Sequence, residues 1–232
     1  MKTGNFMLIG RGVYTLSEAR RLTGVPVGCI SRWTKGYQFQ YHGEMRKSPP
    51  IISTELRPVD GQPVLDFKDL LEIRFLNAFR KHGVSWKSIR IATERAKDLL
   101  QKTHPFSTKI FKTDGRTILA DFVAETGDKV LLDLVRNQYA FSKVISRYLY
   151  GGIEFDNFSE PTLWYPLLGK KTVVIDPSRC FGAPITVTGR IPTGILLNSY
   201  QANGSLETVA NWFETDLKSV RDAVTYEQGL MN

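Results

Sequence analysis

Two short helical periods separated by Gly24-Val25-Pro26, with an alternating stretch directly after them, constrain this chain more than any other feature. From Tyr14 to Thr23 the pattern is helical, Thr15 or Ser17 is placed to cap it, and Gly24 is a suitable C-terminal stop. Pro26 suits the first turn of a second helix, where its missing N–H has no partner to lose, and that helix runs over Val27–Lys35 until Gly36. Ala19, Leu22, Val25, Ile30 and Trp33 then face one another across the turn, leaving Val27, Ser31, Arg32 and Lys35 outward. Tyr37-Gln38-Phe39-Gln40-Tyr41 and Glu44-Met45-Arg46-Lys47 flank His42-Gly43, which predicts a two-stranded ribbon. A ribbon after helix, turn and helix is a wing. Pro49-Pro50 ends it, and Ile51, Ile52 and Leu56 return to the core.

Charge is concentrated on the same part of the chain. The 232 residues carry a formal net charge of +8, yet residues 1–103 hold 18 Lys and Arg against 9 Asp and Glu, and the remainder holds 13 against 14. Such an excess draws polyanions, either nucleic acid or an anionic membrane surface. Placed on a groove-reading motif, it favours duplex DNA. In that reading Val27, Ser31, Arg32 and Lys35 lie in the major groove, where Ser31, Arg32 and Lys35 approach base edges or phosphates. Thr15, Ser17, Tyr41, His42, Arg46 and Lys47 hold phosphates or a minor groove.

A second helical pair follows. Asp66-Phe67-Lys68-Asp69 resembles a capping box and opens a helix with an apolar stripe of Phe67, Leu70, Leu71, Phe75, Ala78 and Phe79. Gly83 ends it and Ser85 caps a further helix that buries Ile89, Ala92, Ala96 and Leu99, with Lys87 and Arg90 on a neighbouring face that either contacts DNA as a second helix-turn-helix or belongs to a pair that simply packs the domain. Trp33, Phe67, Phe75 and Phe79 are core residues. Trp86 either anchors the turn or meets a sugar-phosphate backbone.

After His104-Pro105-Phe106, residues 110–113 and 117–120 flank Asp114-Gly115, which predicts a β-hairpin, and residues 138–150 read as a helix. Phe158 to Lys171 reads as a connection or short ribbon. Two strands at residues 173–175 and 183–187, then helices starting at Thr193, after Ser205 and near Thr215, complete the chain. The expected fold class is α+β, mainly α, with domains at 1–103 and 172–232, a hairpin-and-helix scaffold at 104–157 and a connection at 158–171.

Enzyme signatures are missing: there is no HExxH, GxSxG or Gly-rich phosphate loop, and Cys29 falls on the second helix, away from any obvious base. Cys29 and Cys180 with three histidines make neither a disulfide framework nor a zinc spacing. Asp114, Asp121, Glu125, Asp128 and Asp133 read as turn acids scattered over both strand faces rather than metal ligands. No cofactor or metal is expected. The apolar run at residues 6–9 is too short for a secretion signal, so a soluble, cytoplasmic protein is expected.

Several of these runs resemble known families. Tyr14-Thr15-Leu16-Ser17-Glu18-Ala19 through Trp33 and Gly36-Tyr37 resembles the winged helix-turn-helix of MerR-like regulators. Residues 65–75, Phe79-Arg80-Lys81-His82-Gly83-Val84-Ser85, Ile89-Arg90, His104-Pro105-Phe106 and Thr113-Asp114-Gly115-Arg116 resemble a bacterial antitoxin family of the VapB type. Ile175-Asp176-Pro177, Phe181-Gly182-Ala183-Pro184, Gly189-Arg190-Ile191-Pro192-Thr193 and Gly204-Ser205 are similar to the small uncharacterised domain that closes these antitoxins, where Gly-Gly more often stands in place of Gly182-Ala183. The resemblance implies a dimeric autorepressor that binds its own operator DNA and neutralises a PIN-like ribonuclease toxin. Trp164, Tyr165 and Arg190 are candidates for the toxin-facing surface. The alternative is a stand-alone MerR-like regulator whose later parts bind an effector or dimerise.

Overall fold

Thr15 opens the first helix by a reciprocal cap, and the same device recurs at Asp66. A computed structural model describes residues 8–113, 115, 118, 119, 127 and 149–231. A two-residue strand β1 (Tyr14–Thr15) leads into α1 (Leu16–Thr23), where Thr15 Oγ1 accepts from the Glu18 amide and the Glu18 carboxylate accepts from the Thr15 amide. Gly24 closes α1 with φ 69°, a conformation only glycine adopts without strain. Helix α2 (Val27–Lys35) starts after Pro26 with no side-chain cap. Ala19, Leu22, Val25, Ile30 and Trp33 are all buried, as the spacing predicts.

Gly36 turns the chain from α2 into the wing at φ 72°, and a Cβ there would lie 2.5 Å from the Ser48 carbonyl oxygen. The wing is β2 (Tyr37–Tyr41) against β3 (Glu44–Ser48), antiparallel, with Tyr37 opposite Ser48 and Tyr41 opposite Glu44. Its turn is His42-Gly43, as expected. Ile51 and Ile52 then donate their amides to the Trp33 carbonyl and, with Leu56, are buried.

A short strand β4 (Val64–Leu65) precedes α3 (Phe67–Lys81), capped by Asp66 in a reciprocal box with Asp69. Ser85 caps α4 (Trp86–Leu100). Burial of Ile89, Ala92 and Ala96 follows the predicted stripe, but Leu99 is 60% exposed. Its position near the open end of α4 leaves it beyond the packed face.

The expected β-hairpin after His104 is a helix in every described position. A 3-10 turn, Pro105–Ser107, leads to Thr108, whose hydroxyl accepts from the Phe111 amide, and residues 109–113, 115, 118 and 119 are helical. The turn preference of Asp114-Gly115 yields to burial. Phe111, Ile118 and Leu119 have helical spacing and are buried, and Phe111 meets Phe106 at 4.8 Å and Phe75 at 6.1 Å between ring centroids. Gly115 suits this helix because a Cβ would come within 2.9 Å of the Phe111 ring. The acids proposed for the turns, and all but the last two residues of the helix expected over 138–150, lie outside the described residues.

By its contacts the chain forms two units, one of Thr15–Tyr150 with Phe155–Pro161, the other of Met1–Tyr14, Gly151–Glu154 and Thr162–Asn232. A sheet runs in the order β5 (Ile153–Phe155), β6 (Pro161–Trp164), β7 (Val173–Ile175) and β8 (Pro184–Thr186), and all of its residues but Phe155 and Pro161 belong to the second unit. The stretch read as a connection or short ribbon supplies the strand β6. Three helices follow: α5 (Thr193–Asn203), α6 (Leu206–Trp212), capped by Ser205, and α7 (Leu217–Met231). Their core is Leu196, Leu197, Val209, Ala210, Val220, Ala223 and Val224. The buried Asp222 would rise in pKa from burial alone, yet Lys170 and Thr172 hold its carboxyl below the usual range. Gly182 has φ 83°, while Ala183 sits at an ordinary extended φ of −61°, so only the first position of the Gly-Gly pair requires glycine here.

Candidate nucleic-acid interface

The exposed side of α2 presents Arg32 and Lys35, with Val27 and Ser31 half-buried beside them. Arg32 does not hang freely: its Nε donates to the Gly28 carbonyl at 3.1 Å, which lays the side chain along the helix toward its N-terminus. Thr34 is spent on the Ile30 carbonyl and turns inward. Of the four residues expected outward, Arg32 and Lys35 are exposed and Val27 and Ser31 only half so, and Arg32 is more fixed than spacing alone shows.

Antiparallel register sorts the wing. Tyr37, Phe39, Tyr41, Glu44, Arg46 and Ser48 share one face, because directly opposed residues point the same way. Arg46 lies over the Tyr41 ring at 4.6 Å and 3.6 Å from Glu44, so it is partly neutralised. Lys47 is opposite Gln38 on the other face and exposed. His42 holds the turn at φ 49°, edge-on to Tyr41 at 4.2 Å. Thr15 is occupied by its cap, whereas Ser17 is exposed.

Lys87 is exposed near the start of α4. Arg90, one turn on, is half-buried and donates from Nη2 to Ser48 Oγ at 2.8 Å. Trp86 meets Trp33 edge-on at 5.4 Å and carries the Arg80 guanidinium at 5.1 Å. The two helical pairs are therefore joined through the wing and this tryptophan contact. Between them is a cleft of about 130 Å³ lined by Cys29, Arg32, Trp33, Tyr37, Trp86 and Arg90. Sequence reasoning named Arg32 and Arg90 but separated them; their convergence depends on how α4 packs, which no local pattern encodes.

The residues expected to face a toxin part company. Trp164 is 5% exposed and lies in β6 opposite Ile175, which corrects its placement on an exposed connection. Tyr165 is half-buried with Lys171 Nζ 5.0 Å from its ring centre, and Arg190 is exposed in a turn at φ 54°.

Asp66, Asp69 and His104 form a buried group whose ligating atoms lie within 4.8 Å of one another. Its members are bonded to one another. Asp66 Oδ1 accepts from the Asp69 amide, Asp69 Oδ2 from the Asp66 amide, and Asp69 Oδ1 faces His104 Nε2 at 2.8 Å. One turn further along α3, burial pushes Glu72 up to about 7, against the pull of His104 and the Ser107 amide.

Comparison with known proteins agrees with this geometry. Residues 12–93 match the family described as "Putative DNA-binding HTH domain". The curated protein "Putative antitoxin VapB45" of Mycobacterium tuberculosis is 28% identical over 224 residues, covering 91% of this chain and 92% of that protein. The crystal structure of Rv2018 from Mycobacterium tuberculosis superposes with a TM-score of 0.71 at 28% identity, over 91% of this chain and 96% of that one. Among the described residues no helix is long and apolar enough to cross a membrane. The chain is thus similar along most of its length to "Putative antitoxin VapB45", and it is α+β in fold with a helix-turn-helix domain at its N-terminus.

Proposed function

We propose that this chain is an autorepressing antitoxin, which binds its own operator as a MerR-like winged helix-turn-helix and neutralises a PIN-like ribonuclease toxin in the cytoplasm. The observation that carries the DNA-binding part is the outward face of α2 beside a cationic wing. Val27, Ser31 and Lys35 enter the major groove, with Ser31 and Lys35 nearest base edges and Arg32 beside them. Ser17, Tyr41, His42, Arg46, Lys47 and Lys87 hold phosphates, and Thr15 lends its capped helix end rather than its hydroxyl. Two copies acting as a homodimer meet two half-sites about one DNA turn apart. Tyr165 and Arg190 belong to the toxin-facing surface of the second unit. It acts by binding alone and catalyses no reaction.

The test has two arms. Fluorescence anisotropy with duplexes from the chain's own upstream region is expected to show specific binding, weakened about uniformly across sequences by Lys47→Ala, with the salt slope reduced by about one. Co-expression with the neighbouring reading frame, purified through a tag on this chain and sized by light scattering, is expected to yield a stoichiometric complex in which nuclease activity is silenced. A chain that elutes alone and ignores its own promoter overturns the reading.

A further inference from the structure

We propose that the cleft between α2, the wing and α4 seats one backbone phosphate of duplex DNA, gripped jointly by Arg32 and Arg90. The inference rests on the DNA-binding reading above and makes it specific. The two arginines come from helices of different pairs, more than fifty residues apart in sequence, yet line one cleft of about 130 Å³. Each is held in place by neutral acceptors, the Gly28 carbonyl at 3.1 Å and the Cys29 sulfur at 3.9 Å for Arg32 and Ser48 Oγ for Arg90, and neither meets a carboxylate among the described residues. The remaining N–H donors match the oxygens of a phosphodiester, which guanidinium forks bind in pairs.

The rest of the lining suits the neighbouring sugar. Trp33 and Trp86 meet edge-on, and Tyr37 from the wing completes an apolar wall. A deoxyribose can lie against such a wall while its phosphate faces the arginines, whereas a base edge would leave its donors and acceptors unpaired. Arg32 thereby fixes register rather than sequence. Because Arg90 also holds the last residue of β3, the cleft links the position of the wing to a grip on the backbone.

The test is the salt dependence of operator binding by the full chain, for Arg32→Ala, Arg90→Ala and the double variant. Removing one cation from a shared phosphate is expected to lower the slope of log K against log salt by up to about one, and removing both by no more than about one. Base preference at every operator position stays that of the parent. Ser48→Ala keeps the charge of Arg90 and is expected to weaken binding with the slope unchanged. Circular dichroism and the denaturant midpoint check that each variant folds; if Arg90→Ala does not, Arg90→Gln takes its place in the slope measurement.

A slope that falls by about two in the double variant means two separate phosphates and overturns the proposal. So does an Arg90 variant that binds like the parent, or a base preference that relaxes in Arg32→Ala. A deoxynucleoside monophosphate that quenches tryptophan fluorescence through Arg90 without any change in the duplex slope assigns the cleft to free nucleotides and likewise overturns it. If the parent binds no duplex at all, the DNA-binding reading itself fails, a result distinct from each of these.

Discussion

His104 Nε2 lies 2.8 Å from Asp69 Oδ1, and both side chains are sealed from solvent between α3 and the 3-10 turn that follows α4. Burial opposes a charge on the ring, but the bond to Asp69, with the nearby Glu72 and Asp66 carboxylates, outweighs it and raises the pKa. Stability from a raised histidine is fully present below its unfolded value of about 6.5 and is lost as pH rises through the folded value. Glu72 changes stability in the same direction. Its pKa of about 7 means that the folded state keeps a proton which the unfolded chain releases near pH 4.5, so ionising Glu72 destabilises the fold progressively up to pH 7.

The protein is therefore expected to resist urea better near pH 6 than near pH 8. Glu72→Gln is expected to remove part of this slope by stabilising the fold at pH 8, by up to about 3 kcal/mol from the shift alone. Midpoints of urea denaturation across that range check it. A profile that rises toward pH 8 contradicts the assignment.

Gly182→Ala is expected to destabilise the second unit. Gly182 has φ 83°, its carbonyl accepts from the Tyr14 hydroxyl at 3.0 Å, and a Cβ would lie 2.1 Å from that hydroxyl oxygen. Backbone strain of about 1–3 kcal/mol adds to the lost bond. Ala183→Gly, at an ordinary φ, costs about 1 kcal/mol or less. Thermal melts of both variants distinguish the two positions.

Thr15→Ala removes one side of the α1 capping box and is expected to cost about 1 kcal/mol of stability, whereas Ser17→Ala costs almost none. DNA affinity at fixed salt separates the roles further. The Thr15 variant loses affinity through fraying of the first helix; the Ser17 variant loses it only through a missing phosphate contact.

Trp164→Ala is expected to lower stability by about 3–5 kcal/mol, as for a large buried side chain, before any effect on toxin binding can be read. Leu99→Ser, on an exposed position, is expected to stay within about 0.5 kcal/mol of the parent. Denaturant titrations are expected to separate these two residues, which hydrophobicity alone ranks together.

Local signals were reliable where they acted alone. The turn at Gly24, the wing turn at His42-Gly43, the box at Asp66 and the caps at Thr15, Ser85 and Ser205 all depend on neighbours within four residues, and all appear in the fold. Asp114-Gly115 carried an equally local signal, but Phe111, Ile118 and Leu119 gain more by packing on the aromatic cluster of α3 than a hairpin would offer. Trp164 misled for the reverse reason: it stands in a stretch read as a connection or short ribbon, while its strand pairs inside a sheet assembled from distant segments. That Arg32 and Arg90 line one cleft was illegible because it is set by long-range packing.

Gly36 passes the chain from α2 to the wing with no linker, its backbone pressed against the Ser48 carbonyl. That junction removes slack. For an operator bound as proposed, helix and wing act as the two jaws of a fixed calliper, so the distance between their footprints is a property of the protein and not of the DNA. Inserting a base pair between the footprints would defeat binding even with every contacted base intact, which makes spacing a second lock alongside sequence.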